Sequence, residues 1–259
     1  MNEKPGRSAS VHSVDRAISI LQVLGRLGSA GVTDIAAELD VHKSTVFRLL
    51  ATLEARGLVE QDGTRGRYRL GYGVVQLAAG ATRRHDLTII SRPVCQDLAE
   101  TVGETVNVAV AYDEDVVSID QIIGSAAVTS VNWIGQRTPM HATAAGKCFL
   151  AWMPKPELDE LLGHELVAYT AQTVVDRDEL ETQLAEIRDQ GYAFTDEEHE
   201  QGLAAVGAPI RNLDGSVVAA VTVSGPVFRV NRAGLPRIVP QLLAAAAAIS
   251  ERNGFPKPG

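Results

Sequence analysis

One short segment of the chain carries side chains suited to contacts with phosphates and base edges. Hydrogen-bond donors recur on one side of an amphipathic stretch, at Lys43, Ser44, Thr45, Arg48 and Thr52. Val46 and Leu49 mark the opposite, apolar side, which we expect to be buried. An arginine on a helix can bond two atoms of a guanine, and lysine and hydroxyl groups bind phosphates. The segment predicts a DNA recognition helix, and the alternative is the solvated face of a protein-interaction module.

The residues before this segment have the spacing of a helix-turn-helix. Val46 and Leu49 follow the small residue Ala36 at positions where a second helix meets the first. Asp40 stands in the turn, where a left-handed backbone is needed and an aspartate is tolerated. Two short strands, near 58–60 and 67–70, then flank a glycine-containing turn, which predicts a hairpin wing. Its basic residues, placed to reach a neighbouring groove or the DNA backbone, are Arg65 and Arg67.

A second candidate site is a run of small residues between Gly135 and Lys147. It leads into a predicted helix whose first residues include Ala144, Ala145 and Gly146. The first N–H groups of a helix lack partners within the helix, so they can receive a carboxylate when no bulky side chain intervenes. A tight helix-packing site would need the same small residues, and the two interpretations are equally supported.

Two further segments carry polar groups that could face a ligand. Acidic residues and His199 crowd residues 195–200, where a solvated acidic loop is favoured over a metal site and where Asp196 or Glu198 could order the loop. Thr222 and Ser224 share one face of a predicted strand because side chains alternate along a strand. Their hydroxyls could bond a buried polar ligand, or the strand could face water.

The elements around these segments predict an α+β protein. An N-terminal winged helix-turn-helix domain is expected over residues 1–73 and a linker helix over 74–88, followed by a second domain over 89–259. In that domain, strand pairs joined by tight turns predict a mainly antiparallel sheet flanked by helices. Its expected long elements are helices at 87–102, 177–190 and 235–252, a strand at 203–211, and a third apolar strand near 128–134.

Charge is distributed unevenly between the two predicted parts. The net charge is −8, but residues 1–84 carry +4 and the remainder −12. A basic head on an acidic body is typical of a protein in which one domain alone meets phosphate. No apolar run is long enough to span a membrane, no secretory signal is evident, and the only cysteines are Cys95 and Cys148. We therefore expect a cytoplasmic protein with no membrane partner, cofactor or metal.

Five ordered motifs resemble those of the IclR family of bacterial transcription regulators. The resemblance covers the chain from Ser13 to about Arg252, and its motifs are residues 13–17, the recognition segment 43–50, Tyr68-Arg69-Leu70-Gly71, the loop 140–147, and 191–198 with Ala208-Pro209-Ile210. The resemblance implies a GAF-like effector domain, a dimer or a dimer of dimers, and binding to palindromic operator DNA. It also implies a small effector, often a carboxylic acid.

The resemblance assigns roles to particular residues of the effector domain. Ala144 and Ala145 would offer backbone N–H groups to a carboxylate, and Thr222 and Ser224 would offer hydroxyls. Ala205 falls where some members carry a pocket cysteine, so one polar contact is absent and a close match to the short keto-acid sensors is in doubt.

The function expected from these observations is a DNA-binding regulator, repressor or activator, controlled by a small effector. A second hypothesis is a small-carboxylate enzyme with an appended winged helix. An enzyme needs a nucleophile–base pair or a metal site. His141 and His199 are the histidines near the candidate pocket, and neither has a clear nucleophile beside it in sequence.

Overall fold

The computed structural model divides the chain into two units, residues 1–85 and 86–259. The residues it describes are 11–63, 66–82, 87–126 and 132–256. Arg65, one of the two wing arginines, lies outside the described residues. Within these ranges, none of the helices combines the length and the apolar composition needed to cross a membrane.

The first unit is a helix-turn-helix with a small sheet. Its elements are α1 (His12–Leu27), β1 (Ser29–Gly31), α2 (Val32–Glu38), α3 (Lys43–Ala55), β2 (Val59–Gln61), β3 (Arg67–Leu70) and α4 (Tyr72–Thr82). Strands β2 and β3 form the predicted hairpin, and β1, which the sequence did not reveal, pairs antiparallel with β3. The sheet order is β1-β3-β2.

Burial along α3 follows the helical period and fixes which face is exposed. Val46, Leu50 and Leu53 are buried, and Leu49 packs at the edge of the same core. Ala36 is buried on α2, and Asp40 has a φ of 48°, so the left-handed turn predicted at this aspartate is confirmed. The residues of α3 outside this buried stripe form its outer face.

The second unit is a six-stranded sheet with helices on both faces. Its helices are α5 (Leu87–Val102), α6 (Ala144–Trp152), α7 (Lys155–Leu161), α8 (Arg177–Gln190) and α9 (Leu235–Arg252). Its strands are β4 (Thr105–Tyr112), β5 (Asp115–Ile122), β6 (Arg137–Pro139), β7 (Ala193–Asp196), β8 (Leu203–Arg211) and β9 (Val217–Pro226). The strand order is β6-β5-β4-β9-β8-β7, with every neighbouring pair antiparallel. The predicted antiparallel sheet is confirmed.

Each face of this sheet is covered by its own set of helices. Helices α5 and α9 pack on one face, where Val106, Val108 and Val221 are fully buried. Helix α6 lies on the other face and is backed by α8. Cys148 sits in this second core, and burial raises the pKa of its thiol to about 12. Nearly the whole of α6, from Ala144 to Ala151, is buried.

The predicted third apolar strand falls largely on residues outside the description. Ile134, at its described end, makes an isolated parallel bridge to Ser118. The strand that follows β5 in the structure is β6, which pairs with β5 through Arg137, Thr138 and Pro139. Three residues carry too little periodicity to be recognised as a strand without their partner.

Candidate functional site

The outer face of α3 is free to meet a partner. Lys43, Ser44 and Arg48 are exposed and Thr45 is half-buried. Among the described residues, no ion pair or hydrogen bond engages the side chain of Lys43 or Arg48. Phe47 is also exposed on this helix. Unpaired cations and donors on a helix anchored by its opposite face have the arrangement that a recognition helix needs.

The wing arginine within the described residues is held by the protein itself. Arg67 donates through Nη2 to the Ser29 carbonyl at 2.7 Å and to the Ser29 hydroxyl at 3.1 Å. Its Nη1 lies 3.9 Å from Asp34 Oδ2. These contacts join β3 to β1 and to the start of α2, so Arg67 supports the wing from within; its DNA contact stays a prediction.

The second unit contains a cavity of about 90 Å³, here called the α6 cavity, between the start of α6 and the sheet. Five of the predicted effector residues line it: Ala144, Ala145, Ala205, Thr222 and Ser224. His199, expected near the candidate pocket, also lines it, as do residues that were not predicted as effector contacts: Asn107, Ala109, Val116, Ser118, Trp133, Thr138, Ala142, Thr143, Thr195, Glu198, Glu200, Leu203 and Ala204. Strand alternation brings many of them together, as at Asn107 and Ala109 on β4.

Two residues in the first turn of α6 line the cavity and have N–H groups without a hydrogen-bond partner among the described residues. Thr143 caps the helix, and its Oγ1 accepts from Gly146 N at 3.2 Å. Lys147 N donates to the Thr143 carbonyl at 2.9 Å. The N–H groups of Ala144 and Ala145 thus have no partner in the described part of the chain. Two donors at the positive end of a helix, flanked only by methyl groups, can bind a carboxylate.

Two predicted effector residues stand apart from the α6 cavity. A Cβ on Gly146 would lie 2.2 Å from Met140 Cα, so this glycine permits close packing of the loop on α6. Asp196 is exposed at the end of β7. Neither residue lines the cavity, and a direct effector contact by either stays a prediction.

Behind the α6 cavity lies a buried ion pair. Lys147 is 0% exposed and Glu198 is 6% exposed. The Lys147 ammonium donates to both Glu198 oxygens, at 2.7 and 2.6 Å, and to Gln183 Oε1 at 2.7 Å. All three ammonium protons are thereby used. Burial lowers the pKa of Lys147 against the pull of the Glu198 charge. Glu198 lines the cavity with its charge already balanced.

The segment that carries Glu198 is fixed at several points. Thr170 and Thr173 hydroxyls donate to the carbonyls of Glu197 and Glu198, both at 2.6 Å. Glu197 Oε1 accepts from Gly202 N at 2.6 Å. The expectation of a solvated acidic loop is therefore wrong for Glu198, because Lys147, distant in sequence, neutralises it. Among the described residues, no cluster of three or more His, Cys, Asp or Glu is placed to hold a metal ion.

Aromatic rings border the same cavity. The His199 ring lies 6.0 Å from Trp133 and 5.3 Å from Tyr169, measured between centroids. Burial lowers the pKa of His199, Glu200 opposes that shift and His141 adds to it. The imidazole therefore resists protonation, which keeps an added positive charge out of the ring cluster near neutral pH.

Comparison with known proteins agrees with both units. A family model described as "Bacterial transcriptional regulator IclR C-terminal" matches residues 79–251, and an "IclR helix-turn-helix domain" matches residues 13–63. The chain belongs to the IclR family. The resemblance drawn from the five sequence motifs is confirmed.

Curated relatives of this family member cover nearly its whole length. The HTH-type transcriptional regulator XynR of Escherichia coli K12 is 34% identical over 95% of this chain and 98% of its own. KdgR of Dickeya chrysanthemi is 32% identical over 95% of this chain and 81% of its own. The relatives are named as transcriptional regulators and repressors. This IclR-family chain is a transcription regulator with an effector-binding C-terminal domain, and the enzyme hypothesis is set aside.

Solved structures show the same architecture. The IclR protein of Thermotoga maritima has a TM-score of 0.80 at 29% identity, covering 95% of this chain and all of that one. An IclR homologue from Microbacterium hydrocarbonoxydans, solved with 4-hydroxybenzoate, has a TM-score of 0.80 at 23% identity, covering 92% and 98% of the two chains. At that identity the second likeness shows the fold alone.

Proposed function

We propose that this regulator binds operator DNA through α3 and that a small carboxylate in the α6 cavity changes its affinity for that DNA. The DNA contacts are Lys43, Ser44, Thr45 and Arg48, with Arg65 and Arg67 from the wing. The effector contacts are centred on Ala144 and Ala145. The observation that carries the proposal is the pair of N–H groups at the start of α6, which lack partners among the described residues and belong to residues lining the cavity.

The surroundings of those N–H groups favour an anion. Thr143 accepts from the Gly146 N–H, so the remaining donors of the first turn are adjacent in the chain. Methyl side chains let a ligand approach the backbone closely. The carboxylate of Glu198 would repel an anion, but Lys147 neutralises it. The Microbacterium homologue was solved with a carboxylate, yet at its low identity the carboxylate class here rests on α6 itself.

The remaining parts of the proposal concern assembly. The DNA-binding domain spans residues 1–73, the linker 74–88 and the effector domain 89–259. In a dimer or a dimer of dimers, two recognition helices would meet half-sites about one DNA turn apart, or a multiple of it. An effector that favours one arrangement of the heads by about 1.4 kcal/mol would change operator occupancy about tenfold. Such a regulator acts where its DNA is, in the cytoplasm.

A charge-matched pair of variants tests the DNA interface. Arg48→Ala should lower affinity for a DNA site selected in vitro about tenfold or more, because an arginine bonded to a base contributes about 1–3 kcal/mol. Arg26→Ala removes an equal charge from an exposed arginine that is already paired with Glu38. It should lower the DNA affinity less than about twofold, since exposed pairs contribute little. Fluorescence anisotropy at fixed salt measures both. Equal effects of the two variants would contradict the recognition-helix assignment.

A further inference from the structure

The floor of the α6 cavity contains a polar atom without a partner. Asn107 on β4 is 6% exposed, and its Nδ2 donates to Ser224 Oγ at 3.3 Å. Its Oδ1 is buried and has no hydrogen-bond partner among the described residues. An unpaired buried carbonyl costs about 1–3 kcal/mol. Buried polar atoms are otherwise almost always paired, so this acceptor is available to a donor in the cavity.

Asn107 stands between apolar neighbours in the sheet, and within the described residues its side chain makes one hydrogen bond, to Ser224. It pairs in register with Thr222 on β9, near the middle of the sheet. Its chain neighbours Val106 and Val108 are fully buried in the core on the other face. Thr222 Oγ1 likewise has no hydrogen-bond partner in the described ranges. The amide and the hydroxyls of Thr222 and Ser224 form one polar row that faces the cavity.

The atoms in this row define the group that would complete it. Asn107 Oδ1 can only accept a hydrogen bond, so the ligand must donate one. Ser224 Oγ already accepts from Asn107 and keeps its own proton to donate. A hydroxyl group satisfies both at once, because it donates through its hydrogen and accepts through its oxygen. A ketone accepts only and would leave Oδ1 unpaired.

We infer that the effector is a hydroxy acid, whose carboxylate meets the Ala144 and Ala145 N–H groups and whose hydroxyl lies between Asn107 and Ser224. This inference rests on the proposed carboxylate site. An ammonium group is a poorer match, since it has no lone pair to accept a hydrogen bond from Ser224. A cavity of about 90 Å³ has room for roughly six waters or more, which suits a small acid.

Calorimetric titration of the full chain with matched acids tests the inference. The probes are 2- and 3-hydroxybutyrate against 2- and 3-oxobutyrate. The better hydroxy acid should bind about tenfold more tightly than either oxo acid, the effect of pairing one buried acceptor. Asn107→Leu should weaken the hydroxy acid about tenfold and change oxo-acid binding less than about twofold, so the coupling is assigned to the hydroxyl. Where Asn107→Leu does not fold, Asn107→Ala serves the same purpose without adding volume.

The other outcomes separate this inference from the proposed function. Oxo acids that bind as tightly as hydroxy acids would overturn the hydroxyl assignment but not the carboxylate site. Oxo acids that bind more tightly would also overturn it, and would indicate that the Asn107 amide presents its NH₂ group to the ligand. Tighter binding of 2-aminobutyrate, or an equal loss for all acids in Asn107→Leu, would also overturn it. Failure of every carboxylate to bind would overturn both proposals.

Discussion

At the scale of single residues, an unusual feature of the effector domain is a fully buried lysine. Lys147 follows the small residues of the α6 turn directly, and its ammonium is removed from water together with Glu198. A buried pair of this kind adds little net stability over apolar residues, but one charge left alone is strongly destabilising. The pair therefore fixes the segment carrying Glu198 to the start of α6.

Removing one partner of this ion pair should lower stability far more than removing both. Lys147→Met should lower the free energy of unfolding by about 3–5 kcal/mol, because Glu198 is left buried and uncompensated. Adding Glu198→Leu should restore most of the loss. Urea unfolding followed by tryptophan fluorescence reports on this unit alone, since both tryptophans, Trp133 and Trp152, lie in residues 86–259.

The control for that cycle is an exposed lysine of the same unit. Lys155 pairs with Asp159 and Glu181 and its side chain is 60% exposed. Lys155→Met should cost less than about 1 kcal/mol, as exposed ion pairs do. If Lys147→Met were no worse than Lys155→Met, the buried pair would not hold the segment as described.

The depressed pKa of His199 makes stability depend on pH. Its folded pKa lies below the ordinary value of 6.5 because of burial. At a pH between the folded pKa and 6.5, the unfolded chain binds more protons than the folded chain. The contribution of His199 to stability is therefore fully present above about pH 6.5. It falls as the pH drops toward the folded pKa, by at most about 1.4 kcal/mol per pH unit. His199→Gln should flatten this part of the tryptophan-monitored stability curve.

The pH experiment compares the wild type with His199→Gln under the same conditions. A wild-type slope that survives in His199→Gln would show that another group causes the acid sensitivity.

At the scale of elements, the loop before α6 depends on a glycine at the point of contact. A Cβ on Gly146 would lie 2.2 Å from Met140 Cα and 2.3 Å from its carbonyl oxygen, both backbone atoms that cannot turn aside. Gly146→Ala must displace the loop from the helix. We expect a loss of stability of about 1–3 kcal/mol, as for overpacked cores, and weaker effector binding.

A second helical glycine, Gly25, serves as the control, because an alanine there should raise stability. A Cβ on Gly25 in α1 would meet only Leu70 Cδ1 at 3.6 Å, an ordinary contact. Gly25→Ala should therefore stabilise the first unit by about 0.5–1 kcal/mol through helix propensity. Thermal unfolding by circular dichroism measures both variants. A stabilising Gly146→Ala would contradict the close packing of loop and helix.

Long elements with a clear period could be predicted from the sequence. Helices α5, α8 and α9 and strand β8 have the predicted bounds, because each carries a continuous amphipathic or apolar pattern. Strands β1, β6 and β7 could not be predicted. Each has three or four residues, and each becomes a strand through pairing with a partner that the local pattern does not specify.

The same distinction applies to the candidate site. The run of small residues at the start of α6 reveals a helix N-terminus locally, so Ala144 and Ala145 could be found. The burial of Glu198 depends on Lys147, which is remote in sequence, and could not. Asn107 left a signal that sequence reasoning missed, namely an amide flanked by valines in the middle of a strand.

At the scale of the whole molecule, the two units differ in charge as their tasks require. The +4 of residues 1–84 suits DNA phosphates, while the −12 of the remainder discourages nonspecific DNA contact by the effector domain. Under the proposed function, control passes from the α6 cavity to α3 as a difference in effector affinity between DNA-binding and non-binding states.

The most direct measurement is the DNA affinity of the full chain with and without a saturating small hydroxy acid, in the wild type and in Ala145→Leu. The account predicts that the acid changes wild-type affinity about tenfold, in either direction, for a coupling of about 1.4 kcal/mol. Ala145→Leu, whose side chain would fill the α6 cavity, should bind DNA like the ligand-free wild type and not respond. An equal response in Ala145→Leu, or no wild-type response to any carboxylate, would contradict it.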